Sequence, residues 1–174
     1  MSEMRQLAEN ARQAFFKLST EADRTRILIE VAAALRGNAA LIVEANAKDL
    51  ENAKGNLSEA LYKRLVLNDA KLRDVVDGIE QLAAMDDPLG RVLSETEIDD
   101  GLILRKVQTP IGVIAAIFES RPDVVPQIAS LAIRTGNAVL LKGGREAVQT
   151  NAVMGSVIRG HSSPAAPVAT RTGA

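Results

Sequence analysis

Thr109-Pro-Ile-Gly-Val-Ile-Ala-Ala-Ile-Phe-Glu-Ser-Arg-Pro-Asp-Val124, followed by Arg134-Thr-Gly-Asn-Ala-Val-Leu-Leu-Lys-Gly-Gly-Arg-Glu-Ala147, decides the fold class. Ile111 to Phe118 is a continuous apolar run, the pattern of a strand buried on both faces of a parallel sheet. Asp123 to Thr135 brings Val124, Ile128, Leu131 and Ala132 to one helical face and closes at Gly136-Asn137. Ala138 to Leu141 is a second short apolar strand. Strand, helix and strand in this order predict a parallel crossover unit. Each strand opens into a short segment of charged and small residues, where an α/β protein gathers its ligand groups at the carboxyl ends of its strands.

Upstream of this unit the pattern is helical and then β-like. Met4, Leu7, Ala8, Ala11, Phe15 and Leu18 recur at helical spacing. Ser19-Thr20 offer an N-cap to a second helix, with Asp23 three residues after Thr20; Ile27, Leu28, Val31, Ala32 and Leu35 make its inner face before Gly37. Asn38 and Asn68 are placed to cap two more helices, which end near Gly55 and Asp86-Asp87-Pro88, and Ser58 to Leu65 makes a short helix between them. Beyond Pro88, Val92 to Ile98 and Leu102 to Val107 flank Asp99-Asp100-Gly101, which predicts a β-hairpin.

Composition narrows the function classes. Twenty-one basic and 22 acidic residues leave a net charge of −1, so there is no field to draw in nucleic acid or an anionic membrane. The longest apolar run is too short to span a bilayer, and the polar N-terminus is not a signal peptide, which predicts a cytoplasmic protein. The chain has no cysteine and a single histidine, His161. Disulfides, thiol nucleophiles and histidine-built metal sites are excluded within these residues.

Two segments carry candidate chemistry. Glu119-Ser120-Arg121-Pro122 lies where the first strand gives way to a helix; free N–H groups there attract anions, and Arg121 can grip a carboxylate or phosphate at two points. On pattern alone a surface loop with a proline starting the helix fits equally well. In Lys142-Gly143-Gly144-Arg145 the glycines admit a close ligand, and the two cations offer donors to a ribose or its phosphate. A solvated turn is the bland alternative. No G-x-G-x-x-G sequence is present.

The segments Phe118-Glu-Ser-Arg-Pro-Asp-Val124, Gln127-Ile-Ala-Ser-Leu-Ala-Ile133 and Gly136-Asn-Ala-Val-Leu-Leu-Lys-Gly-Gly-Arg-Glu-Ala147 closely resemble, in order and spacing, those of the γ-glutamyl phosphate reductases. These enzymes, also called glutamate-5-semialdehyde dehydrogenases, belong to the aldehyde dehydrogenase superfamily. Glu44-Ala-Asn-Ala-Lys-Asp-Leu50 and the Leu102 to Val107 strand resemble the helices and hairpin of the same family. The resemblance covers roughly residues 1–158 and corresponds to less than half of a family member.

That resemblance implies an α/β fold: N-terminal helices, a hairpin, then the first strand-helix-strand of a Rossmann-like cofactor domain, incomplete in these residues. It implies NADP(H) as cofactor and L-glutamyl 5-phosphate as substrate, reduced to glutamate 5-semialdehyde in proline biosynthesis. Ile117, Phe118, Glu119 and Ser120 would lie along the cofactor, Lys142 at the adenosine ribose, Gly143 and Gly144 beside it, and Arg145 at the 2′-phosphate. Arg121 and Asp123 fall to substrate positioning, with a helix-cap role equally open for Asp123. The family reaction runs through a cysteine thiolate in a later domain, so no catalytic residue is assigned here, and the expected product is an N-terminal fragment inactive alone. A non-catalytic nucleotide-binding module, or one that forms homo-oligomers through hairpin 92–107, is the alternative. No acidic residue follows Glu146, and the stretch 159–174 reads as a disordered tail, possibly translated out of frame.

Overall fold

The computed structural model describes residues 3–20, 23–161 and 168–170. Five helices come first: α1 (Glu3–Thr20), α2 (Arg24–Gly37), α3 (Ala39–Ala53), α4 (Glu59–Leu65) and α5 (Asp69–Ala84). A hairpin follows, formed by β1 (Val92–Asp99) and β2 (Leu102–Val107). The chain then enters β3 (Val113–Ile117), α6 (Val124–Arg134), β4 (Ala138–Lys142), a 3-10 turn at Arg145–Ala147, α7 (Val148–His161) and β5 (Val168–Thr170).

Helix α2 is the hub. It buries Ile27, Leu28, Val31, Ala32, Ala34 and Leu35 and packs against α5, α6 and α7. Helix α5 returns Leu72, Val75, Val76, Ile79 and Ala83 to the same core, which α6, β4 and α7 complete through Val125, Ala129, Ile133, Val139, Leu141, Met154 and Ile158.

The caps follow the physical pattern with two corrections. Asn68 accepts from Lys71 N–H, as its position predicts, and Ser58 caps α4 by accepting from Leu61 N–H. Helix α2, however, is capped by Asp23, which accepts from Arg26 N–H at 2.9 Å. Ser19 and Thr20 instead finish α1, their hydroxyls donating to Phe16 O. Asn38 stands before α3 without a side-chain cap and donates back to Ala34 O, closing the end of α2.

A polar seam ties the start of α2 to the connection between α5 and β1. Arg24 donates to Asp87 at 2.6 Å and to Leu18 O at 2.8 Å. Burial raises the Asp87 carboxyl, but the Leu89 N–H, Arg24 and the charge of Arg134 outweigh it and hold the group below its ordinary 3.8.

The hairpin pairs Val92 with Val107 and Glu97 with Ile103, with irregularities in register near each end. Gly101 takes φ +71 at the turn, a conformation that Asp-Gly turns favour. All residues of both strands are exposed.

In the second sheet the order is β3-β4-β5, all parallel, with Ile117 opposite Lys142. The expected crossover unit is therefore present, and β4 buries Ala138, Val139 and Leu141. Strand β3, at the edge of this sheet, is not buried on both faces: Ile114 and Ala116 pack toward the core, while Val113, Ala115 and Ile117 face outward. Ile111 is 85% and Ile117 77% exposed. Leu131 also departs from expectation; it lies on the outer face of α6, 54% exposed, because the core takes up the neighbouring Ala129, Ala132 and Ile133. Of the stretch 159–174, α7 continues to His161 and Val168–Thr170 pair with β4; the rest lies outside the described residues. Among the described residues no helix is long and apolar enough to cross a membrane.

Candidate functional site

The carboxyl ends of β3 and β4 lie side by side, so the loops that follow them meet. The ladder continues one step past the strands through Phe118 N–H, which donates to Lys142 O at 3.1 Å. The sheet thus fixes the Ile117–Ser120 segment against the Lys142–Arg145 segment, bringing together the two groups that the sequence marks separately.

Ser120 is the joint between them. It is 2% exposed and takes φ +46, which costs a non-glycine residue on the order of 1 kcal/mol. Glu146 stabilises that conformation: its carboxylate accepts from Ser120 N–H and, at 3.0 Å, from Ser120 Oγ. The sequence pattern alone does not mark Glu146 for this role. Two residues earlier, a Cβ on Gly144 would displace the end of the Glu146 side chain and so disturb its contact with Ser120.

Gly143 lies similarly close to a side chain. A Cβ on it would lie 2.1 Å from Asn151 Nδ2 and 3.3 Å from Phe118. Asn151 is 4% exposed, and its Oδ1 has no partner among the described residues. The two glycines therefore let protein side chains close the loop from beneath, a close approach of protein to backbone rather than of ligand alone.

The cations stand on the other side. Lys142 and Arg145 are both exposed, and neither enters an ion pair among the described residues. Two free, adjacent cations at the end of a parallel strand suit an anionic group such as a ribose phosphate. Arg121 is also exposed but is partly neutralised, its Nη2 donating to Asp123 at 3.0 Å. Asp123 accepts from Gln127 as well and makes no side-chain cap bond to α6, so its contacts orient Arg121 instead. Glu119 points outward, exposed. Among the described residues no cluster of carboxylate, histidine or cysteine side chains could hold a metal.

Comparison with known proteins finds relatives over most of the chain. No protein-family model matches the chain. The γ-glutamyl phosphate reductase of Brachyspira hyodysenteriae is 45% identical over 159 residues, covering 87% of the chain and 37% of that enzyme. The crystal structure of γ-glutamyl phosphate reductase from Saccharomyces cerevisiae superposes with a TM-score of 0.92 and 38% identity, over 99% of the chain and 47% of the yeast protein. PnpE, crystallised in complex with nicotinamide adenine dinucleotide, shares the fold at 15% identity and a TM-score of 0.74. The chain spans less than half the length of the relatives it matches, and its sequence and fold are similar to the N-terminal portion of γ-glutamyl phosphate reductase.

Proposed function

We propose that residues 1–158 supply the adenosine-binding half of an NADPH site in a cytoplasmic γ-glutamyl phosphate reductase of proline biosynthesis. The observation that carries this reading is the pair of unpaired, exposed cations Lys142 and Arg145, set beside the end of β3 by the Ile117–Lys142 pairing. The donor set fits the group: Lys142 meets a ribose hydroxyl, and the planar fork of Arg145 meets the 2′-phosphate. Ile117, 77% exposed, together with Phe118 and Glu119 forms the wall along which the nucleotide lies, and the buried Ser120 supports that wall from behind through Glu146. Gly143 and Gly144 keep that wall low.

When bound, NADPH supplies the hydride that reduces L-glutamyl 5-phosphate to glutamate 5-semialdehyde. The work of these residues is to hold and orient. Arg121, steadied by Asp123, is placed on the loop after β3 to meet the substrate's phosphate or carboxylate. The covalent step in this reading needs a thiolate, and these 174 residues contain no cysteine. The 174-residue polypeptide alone, given L-glutamyl 5-phosphate and NADPH, is expected to consume NADPH no faster than a protein-free blank. Turnover above that blank would overturn the assignment of the chemistry to residues outside this chain.

A second reading concerns assembly and rests on the hairpin. Val92, Leu93, Ile98, Leu102, Ile103 and Leu104 are each 47% or more exposed on a two-stranded ribbon. Such an edge favours strand addition between copies. Size-exclusion chromatography should give a defined oligomer that Leu104→Lys dissociates, and a monomeric parent chain would contradict it.

A further inference from the structure

From the buried polar contacts of α3 we infer that Asp49 is a positioning residue for the Gly143–Glu146 loop, acting through the first turn of α7. Asp49 lies on α3, about a hundred residues before α7, and is 3% exposed. Its carboxylate accepts three hydrogen bonds: from Gln149 N–H at 3.1 Å, from Thr150 N–H at 2.7 Å and from Thr150 Oγ at 2.6 Å. Gln149 and Thr150 are the second and third residues of α7. Their N–H groups are among those that no helix satisfies internally, so Asp49 caps α7 from another helix.

Asn46, one turn earlier on α3 and 1% exposed, fixes the same corner. Its Nδ2 donates to Leu65 O at 3.0 Å and to Thr150 Oγ at 3.3 Å, while its Oδ1 accepts from Leu67 N–H at 2.8 Å. Ala147, at 1% exposure, packs against Ala53 and Leu65 just before α7 begins. The loop that carries Arg145 is thus tied at two points on its way into α7. Asp49 anchors its exit into α7, and Glu146 anchors it to Ser120 across the sheet.

The nucleotide consequence rests on the proposed NADPH site, but the positioning itself does not. Amide hydrogen exchange of the 174-residue chain separates the two. Asp49→Ala is expected to speed exchange roughly tenfold at Gln149 and Thr150 and to carry the same increase back to Gly143–Glu146, with the α2 amides unchanged. Asp49→Asn, which keeps one accepting oxygen, should fall between Asp49→Ala and the parent, and it serves if the alanine variant fails to fold. Faster exchange confined to Gln149 and Thr150, with the loop at its parental rate in both variants, would overturn the inference. Titration with adenosine 2′,5′-bisphosphate adds the second arm: weaker binding in both variants, in proportion to loop exchange, is expected. A parent chain that binds no nucleotide would remove the NADPH reading and leave the exchange result to decide the role of Asp49.

Discussion

Arg145→Ala should lower the chain's affinity for nucleotides carrying a 2′-phosphate by about 10- to 100-fold and leave binding of their unphosphorylated counterparts unchanged. The size follows from the charge-assisted hydrogen bonds that a guanidinium makes to phosphate, about 1.5–3 kcal/mol net. Arg145 is exposed on the 3-10 turn and makes no ion pair among the described residues, so its removal leaves no buried partner stranded. Arg145→Lys should recover only part of the loss, because an ammonium offers a point charge where the guanidinium offers a planar fork. Equal loss for phosphorylated and unphosphorylated nucleotides would place Arg145 elsewhere in the site.

Leu35→Ala is expected to remove about 2–5 kcal/mol of folding stability, a large share of the roughly 5–15 kcal/mol available to a domain of this kind. Leu35 is fully buried on α2, the helix against which α5, α6 and α7 all pack. Its truncation leaves a cavity that three helices would have to collapse around. Ile29, on the same helix but 54% exposed, provides the control, and its change to alanine should stay within about 0.5 kcal/mol. Urea unfolding followed by circular dichroism reads both, and similar midpoints for the two variants would show that α2 is not the hub of the core.

Much of the fold is local in origin and was legible in the chain. The hairpin follows from the turn signal Asp99-Asp100-Gly101 between two short β-like runs, and α4 and α5 start at Ser58 and Asn68, whose side chains reach an amide three residues on. Where several polar residues compete for one boundary, spacing does not decide. Asp23 caps α2, and Ser19 and Thr20 turn back on α1, because the break between the helices falls after Thr20. Apolar character also fails to separate a central strand from an edge strand. Ile111 to Phe118 has the composition of a buried strand, but on one edge of β3 there is no neighbouring strand among the described residues.

The candidate site divides in the same way. Lys142, Arg145 and Arg121 stand out by charge at the ends of apolar strands, and the sheet brings those ends together. The groups that hold the loops were hidden, because Asp49 and Glu146 find their partners 26 to 101 residues away. One signal was present for the first of them. Asn46 and Asp49 share the inner face of α3 with Ile42, Ala45 and Ala53, and a polar pair within an apolar stripe implies buried partners. Nothing comparable marks Glu146, whose acceptor role depends on the left-handed backbone at Ser120.

The central claim is that the ends of β3 and β4 form the seat of an adenosine 2′-phosphate. The most direct measurement is the amide chemical-shift change of the 174-residue chain titrated with adenosine 2′,5′-bisphosphate and, separately, with adenosine 5′-monophosphate. The predicted result is saturable binding with shifts centred on residues 117–121 and 142–147, and an affinity for the bisphosphate about tenfold or more above that for the monophosphate. Equal affinity for the two nucleotides, or shifts centred away from these two loops, would contradict it.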